Sequence, residues 1–218
     1  RPLPGPLDRL PEVDHCLADL VSPAAAEHLR DCDVLVHLAF QLWRQRSDRP
    51  CAPTWSGSRT NREGIRNILA VRASPATRVI FASSVAVYGA HPDNPLPITE
   101  EWTPRPNPEC SYAEDKLWAE REVLETGRGV VLRLCALVGP SMDERVAASI
   151  GGYRWAVPAI SGRTQALQFL HEQDAARCIW LAATGEATGI FNVSPPDWLD
   201  EEALAAVATS RVLHLPPW

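Results

Sequence analysis

Apolar positions in this chain come in two rhythms. VLVHLAF (34–40), RVIFASS (78–84) and GVVLRLC (129–135) are almost continuously apolar, the pattern of strands buried on both faces. Between them the spacing turns helical. One helix is predicted from about Thr60, with Ile65, Ile68, Leu69 and Arg72 on one face. Gly64 sits inside it, at ~1 kcal/mol against a helix interior, which points to close approach by another element. A second helix is predicted from Tyr112, capped by Ser111 and ended by Gly127. Upstream, VDHCLADL (13–20) reads as a short strand ending in Asp19, and Ser22-Pro23 opens a helix over AAAEHLR. Downstream come a short helix near 142–150, an extended QFLH (168–171), and a helix from Asp174, its N-cap, to about Ala183, closed by Gly185. IFNVS (190–194) reads as a strand, LDEEALAAVA as a helix and RVLHLP as a last short strand. Segment 41–58 is a polar loop, and six prolines between Gly89 and Ser111 make an ordered, non-helical one. Strand and helix alternate throughout, which specifies an α/β fold with a parallel sheet and a small C-terminal lobe.

Composition narrows the partners. At 218 residues the chain can bury a full core, and its 45% hydrophobic and 22% charged residues are those of an ordinary globular protein. A net charge of −6 with no basic run argues against nucleic acid and against an anionic membrane. No apolar stretch reaches the roughly 18 residues of a membrane span, and the N-terminus lacks a signal-peptide core. The six cysteines show no CxxC spacing and the six histidines no cluster, so no metal site is expected and a reducing cytoplasm fits best. The lone methionine is Met142, so more chain is expected upstream in the working protein.

Chemistry concentrates between Arg78 and Lys116. Tyr112 and Lys116 are four apart, one turn from each other on a helix face. Ser84 ends a buried strand, and in open parallel sheets ligands bind at the carboxyl edge. A tyrosine beside an ammonium loses its proton more easily than its free pKa of about 10 suggests. With a nearby hydroxyl to hold a substrate oxygen, that is a proton-transfer site for alcohol–ketone chemistry.

SSVAVYG (83–89), followed by YAEDK (112–116), resembles the extended branch of the short-chain dehydrogenase/reductases, the NAD-dependent epimerase/dehydratase family. The resemblance implies a Rossmann-like doubly wound parallel sheet with a small C-terminal substrate lobe. It divides the chain into an incomplete dinucleotide-binding domain (1–140) and a substrate-binding lobe (141–218) interleaved with the last sheet elements. It also implies NAD or NADP as cofactor, without choosing between them. His37-Leu38-Ala39-Phe40 is similar to the family's His-Leu-Ala-Ala, where small residues admit the cofactor; Phe40 departs from it with a bulky ring. Asp19-Leu20 matches the Asp-Leu beside the adenine, although Asp19 equally suits a cap on the Ser22 turn. Asn61, in NREGIRNIL, matches the Asn that organises the proton relay, or is a helix-start residue. LRLCALVGP (132–140) matches the stretch running past the nicotinamide, with Ala136 where epimerase-like members carry the Asn that contacts nucleotide phosphates.

The family's glycine-rich pyrophosphate turn is missing, because the resemblance begins near the third strand. Without the family's first strand, the run VLVHLA is expected to lack a partner on one side. By resemblance Tyr112 is the general acid/base, Lys116 lowers its pKa and binds the nicotinamide ribose, and Ser84 holds the substrate oxygen. Val85 and Ala86 replace the Asp-Glu pair of the dehydratases, so a sugar-like or other hydroxy/keto small molecule would be epimerised or reduced rather than dehydrated. The alternative is a cofactor-poor module with a non-redox or ligand-binding role. A homodimer is expected through the helices at about 60–73 and 112–126, the second carrying Leu117, Trp118, Val123 and Leu124.

Overall fold

A computed structural model describes residues 13–14, 16–22, 27–29, 32–41, 57–71, 77–142, 147–148, 151–160 and 166–216. Four parallel strands form its central sheet: β1 (Val34–His37), β2 (Arg78–Ser84), β3 (Gly129–Leu134) and a later strand, Gly189–Val193. Helices α1 (Gly57–Val71) and α2 (Ser111–Leu124) cover one face, and α3 (Glu172–Thr184) covers the other. Short strands β4 (Ala136–Val138) and β6 (Phe169–His171) pair beside the sheet, and β5 (Val157–Ile160) pairs with β8 (Val212–Leu215) against α4 (Glu201–Val207). The strand at Gly189–Val193 is β7, which places the sheet order at β1-β2-β3-β7.

Two apolar layers hold the sheet. Leu35, Val79, Phe81 and Val131 meet Ile65 and Ile68 of α1 and Ala119 and Val123 of α2. Ile80, Val130 and Leu132 meet Ala175 and Cys178 of α3. Neighbouring residues of β2 and β3 therefore serve opposite layers, as alternation along a strand requires. Both layers being filled explains the continuous apolar runs in the sequence. Among the described residues β1 pairs only with β2, so its outer edge is open as expected.

Polar groups inside these layers are tied to one another. Arg133 is 2% exposed and forks onto Glu120 of α2, with Nη2 to Oε2 at 2.7 Å and Nε to Oε1 at 3.1 Å. Ser83 donates to the same carboxylate at 2.5 Å, and Arg133 Nη1 donates to the Tyr88 hydroxyl at 2.7 Å. Tyr88 in turn donates to Asn192 Oδ1 at 2.9 Å, and Glu100 of the proline-rich loop accepts the Asn192 N–H at 2.6 Å. Gly89 ends the 3₁₀ turn Val85–Tyr88 at φ 67°, and a Cβ there would lie 2.2 Å from the Arg105 carbonyl oxygen. Glycine is required at that point by both conformation and space.

Several sequence expectations need correction. VDHCLADL forms no strand over its described residues; Asp19 instead caps a turn, accepting Val21 N–H at 3.0 Å and Ser22 N–H at 2.8 Å. Helix α1 starts at Gly57 rather than near Thr60. Ser111 is the first helical residue of α2 and Cys110 the N-cap, so the Ser111 hydroxyl makes no cap bond. His171 caps α3, its Nδ1 accepting Gln173 N–H at 3.2 Å, and Asp174 lies inside the first turn. The predicted helix at 23–30 is described only as a 3₁₀ turn, Glu27–Leu29, and most of the one near 142–150 lies outside the described residues. Gly64 does meet another element, since a Cβ there would touch Leu20 Cβ at 3.4 Å. Cys110 is disulfide-bonded, which removes the thiol pattern as a reason to place the chain in a reducing compartment.

Replacing Glu120 or Arg133 alone with leucine is expected to cost about 3–5 kcal/mol, because each leaves a bare buried charge. The Glu120→Leu/Arg133→Leu pair should recover more than half of that loss in urea unfolding. A double variant as unstable as the sum of the singles would contradict this account of the pair.

Candidate functional site

Ser84 is the last residue of β2, at the carboxyl edge of the parallel sheet. Its backbone stays extended (φ −145°, ψ 146°), and its Oγ accepts the Ala86 N–H at 3.2 Å, starting the 3₁₀ turn. The Tyr112 side chain meets the same hydroxyl, which favours its ionised form. Tyr112 and Lys116 stand one turn apart on α2, so the three expected residues do converge.

The electrostatics differ from expectation. Burial pushes the Tyr112 hydroxyl up to about 12, and the Ser84 hydroxyl offsets this only in part. The Lys116 ammonium donates to the Ala82 carbonyl at 2.5 Å and lies 5.7 Å from the centre of the Tyr112 ring. Burial brings Lys116 itself down to about 7, with Glu120 opposing the shift, so near neutrality it carries only about half a charge. A half-charged amine turned toward a backbone carbonyl has little power to stabilise a phenolate.

Aromatic rings close the amine in. Its nitrogen sits 3.9 Å from the centre of the Phe40 ring and 4.7 Å from that of Phe81. Phe40 also meets Tyr112 edge-on at 5.8 Å and Phe81 at 6.0 Å. His37, 4% exposed, stacks on Phe81 at 5.8 Å, and its Nε2 has no hydrogen-bond partner. Burial first, and Lys116 second, lower His37 to about 4, so it is a neutral ring at physiological pH.

The remaining candidates lie around this centre rather than in it. Asn61 is buried on α1 and spends its amide on Gln41, accepting the backbone N–H at 2.8 Å and donating to the carbonyl at 3.1 Å. It is the fifth residue of the helix, so it is not a helix-start residue. Leu38 and Ala39 are exposed beyond the end of β1. Asp19 is exposed and capped into its turn, and Leu20 packs half-buried against α1, where Asn67 Nδ2 donates to its carbonyl at 2.8 Å. An apolar groove of about 670 Å³ lies on the opposite face, between α3 and β7, lined by Leu181, Phe191 and Pro195 among others. It includes none of Ser84, Tyr112 and Lys116, and the chemistry outweighs its size in locating the site.

Sequence reasoning passed over Ser83, Glu120 and Arg133. Two signals were available: an arginine inside the apolar run GVVLRLC, and a glutamate four residues beyond Lys116. A third concerns Lys116 itself. It is the only lysine in the chain, against twenty arginines. Arginine stays charged in any protein setting, whereas a buried lysine can titrate near neutrality.

Having one lysine makes a direct test available. Carbon-13 labelling of lysine should give a single side-chain signal titrating near pH 7, and a midpoint at 10 or above would refute the burial account. The sign for stability follows from linkage. Lys116 falls below its ordinary 10.5, so the penalty for burying its charge is full below about pH 7 and fades as pH rises to 10.5. Tyr112 is raised, so its contribution is intact below about pH 10 and is lost as pH climbs to about 12.

The chain matches the NAD dependent epimerase/dehydratase family over residues 4–194. Uncharacterized proteins of Mycobacterium tuberculosis and Mycobacterium bovis are 31% identical to it over 197 residues, 86% of this chain and 51% of theirs. The chain thus spans about half the length of these curated relatives. Among solved structures, RMD from Pseudomonas aeruginosa complexed with NADPH is 25% identical, with a TM-score of 0.66 over 93% of this chain and 75% of that one. The UDP-glucose 4-epimerase of Thermus thermophilus in complex with NAD shares the fold at 23% identity, with a TM-score of 0.68 over 92% and 71% of the two chains. With the four-stranded parallel sheet and the convergence of Ser84, Tyr112 and Lys116, the family match over 4–194 shows that this chain belongs to the NAD dependent epimerase/dehydratase family.

Proposed function

We propose that the protein is an NAD(P)-dependent oxidoreductase or epimerase acting on a sugar-like or other hydroxy/keto small molecule, with Tyr112 as general acid/base. The observation that carries this is the meeting of Ser84, at the carboxyl edge of a parallel sheet, with Tyr112, and of Lys116 one turn further along the same helix. The relatives solved with NADPH or NAD support the choice of cofactor.

The residues present suit part of a dinucleotide. The Lys116 ammonium has three N–H donors and one protein acceptor, Ala82 O, which suits it to ribose hydroxyls once Phe40 is displaced. Tyr112 would face the nicotinamide end, Leu38 and Ala39 the open backbone approach, and Asp19 and Leu20 the adenine end. Asn61 would act through the loop it clamps. No glycine-rich turn stands in the sequence for the pyrophosphate.

When bound, the nicotinamide supplies a hydride acceptor or donor. Ser84 Oγ would donate to or accept from the substrate oxygen while remaining in reach of Tyr112. Tyr112 Oη would pass its proton to that oxygen as a carbonyl is reduced, and take it back as an alcohol is oxidised. A ligand oxygen near Lys116 would bring the amine back toward its charged form, and only then would Tyr112 fall from about 12 toward a working value. Val85 and Ala86 offer no acid for elimination, which favours epimerisation or reduction over dehydration. Phe40 over Lys116 favours the second reading, a cofactor-poor ligand-binding module. A cytoplasmic setting belongs to the first reading. No helix among the described residues is long and apolar enough to cross a membrane.

Tyr112→Phe should cut turnover by about 10²–10⁴-fold while leaving folding and ligand binding near normal. Near wild-type turnover in that variant would end the acid/base assignment. Association through α1 and α2 is part of the proposal, on a smaller surface than expected: Val123 is fully buried in the chain's own core, and Trp118 is flanked by the Arg62 and Arg66 guanidiniums at 5.3 and 5.1 Å. Light scattering at micromolar concentration should report a dimer that Trp118→Glu weakens, and a monomeric parent protein would remove this interface.

A further inference from the structure

Lys116 is the only amine of the site, and it is shut in. The residue is 4% exposed, and one of its three N–H donors goes to Ala82 O. The rings of Phe40, Phe81 and Tyr112 stand around the nitrogen at 3.9, 4.7 and 5.7 Å. These rings are not equivalent. Phe81 is in the middle of β2 and fully buried, and Tyr112 stands in the first turn of α2, on the same helix as Lys116. Phe40 is half-buried and sits beyond the end of β1, with its ring closest to the amine.

The backbone around Phe40 leaves it one way to move. Three residues earlier β1 is still paired, His37 against Phe81. One residue later the Gln41 N–H and carbonyl are both bonded to the buried Asn61 side chain, at 2.8 and 3.1 Å. A hinge of the whole loop would break that double bond, whereas a change of side-chain rotamer would not. The attraction between amine and ring face is of the kind a charge-assisted hydrogen bond from a ligand oxygen can replace.

We propose that Phe40 is a side-chain gate over Lys116, so that a hydroxyl-bearing ligand reaches the amine only when the ring rotates away on a fixed backbone. The gate deepens the functional reading above and rests on it for the ligand, a nicotinamide dinucleotide. It makes Phe40 a determinant of affinity: the ring must be displaced before Lys116 can donate to a ligand.

Competitive labelling with trace acetic anhydride tests the gate without any ligand, because Lys116 is the one lysine among these 218 residues and the α-amine of the protein labelled serves as the internal standard. The limiting rate at high pH, where the amine is neutral, reports access alone; His37, Tyr112 and Glu120, the titratable groups facing Lys116, are unchanged by the substitutions. Phe40→Ala should raise the limiting rate at Lys116 on the order of tenfold or more, and Phe40→Leu, which keeps apolar packing if the alanine variant fails to fold, should raise it less. Folded variants that label as slowly as the parent would overturn the gate. In parallel, fluorescence titration with NADPH and NADH should show Phe40→Ala binding about tenfold tighter than the parent. Equal affinity in the two proteins would also overturn it. If labelling accelerates while neither protein binds either dinucleotide, the gate stands and the functional reading fails.

Discussion

One buried ion pair fixes the relation between the sheet and the helix that carries the chemistry. Arg133 on β3 and Glu120 on α2 are both sealed from solvent, and neither could be tolerated there alone. Because the guanidinium fork admits few orientations, α2 cannot slide or roll on β2 and β3 without stranding a charge. Ser83 bonds to the same carboxylate from the residue next to Ser84, and Lys116 is one turn back from Glu120 on α2. The distance between the strand-end hydroxyl and the tyrosine is therefore set from behind by groups that touch no reacting atom. Through Tyr88 and Asn192 the same network reaches Glu100, so the proline-rich loop beside the site is held from the same point.

This rigidity frames the behaviour of Lys116. Placing an amine among three rings and one carbonyl strips it of water without giving it a full counter-ion, since Glu120 is already engaged by Arg133. The outcome near neutrality is an amine close to its titration point and a tyrosine well below its own, still protonated. A site in this condition is at rest. A polar group entering beside the lysine would favour its charged form, a response that a permanently charged residue could not give.

Much of this was legible in the sequence because the signals were local. Continuous apolar runs marked β1, β2 and β3, and the i, i+4 spacing put Tyr112 and Lys116 on one turn. Ser84 could be placed at a strand end because turn residues followed an apolar run. What local signals do not carry is the direction each side chain takes in three dimensions. A lysine four residues from a tyrosine in sequence was expected to act on its oxygen, yet the side chain turns toward Ala82. Asn61 was expected near the proton relay, and its amide is used on Gln41. Ser111 and Asp174 look like caps by residue type, but the neighbours Cys110 and His171 hold those positions, because the cap is decided by where the chain departs from helical dihedrals. Segment 13–20 has the composition of a strand, yet its described residues form none.

The Asn61 clamp has a consequence of its own. A primary amide offers one donor and one acceptor side by side, the same pair that a peptide unit offers to a neighbouring strand. By meeting both backbone groups of Gln41, this single side chain stands in for one rung of a ladder and carries the line of β1 past its last paired residue. Aspartate has almost the same shape but offers no donor, and leucine has neither group. The spelling of one codon in α1 thus decides where the path of β1 ends.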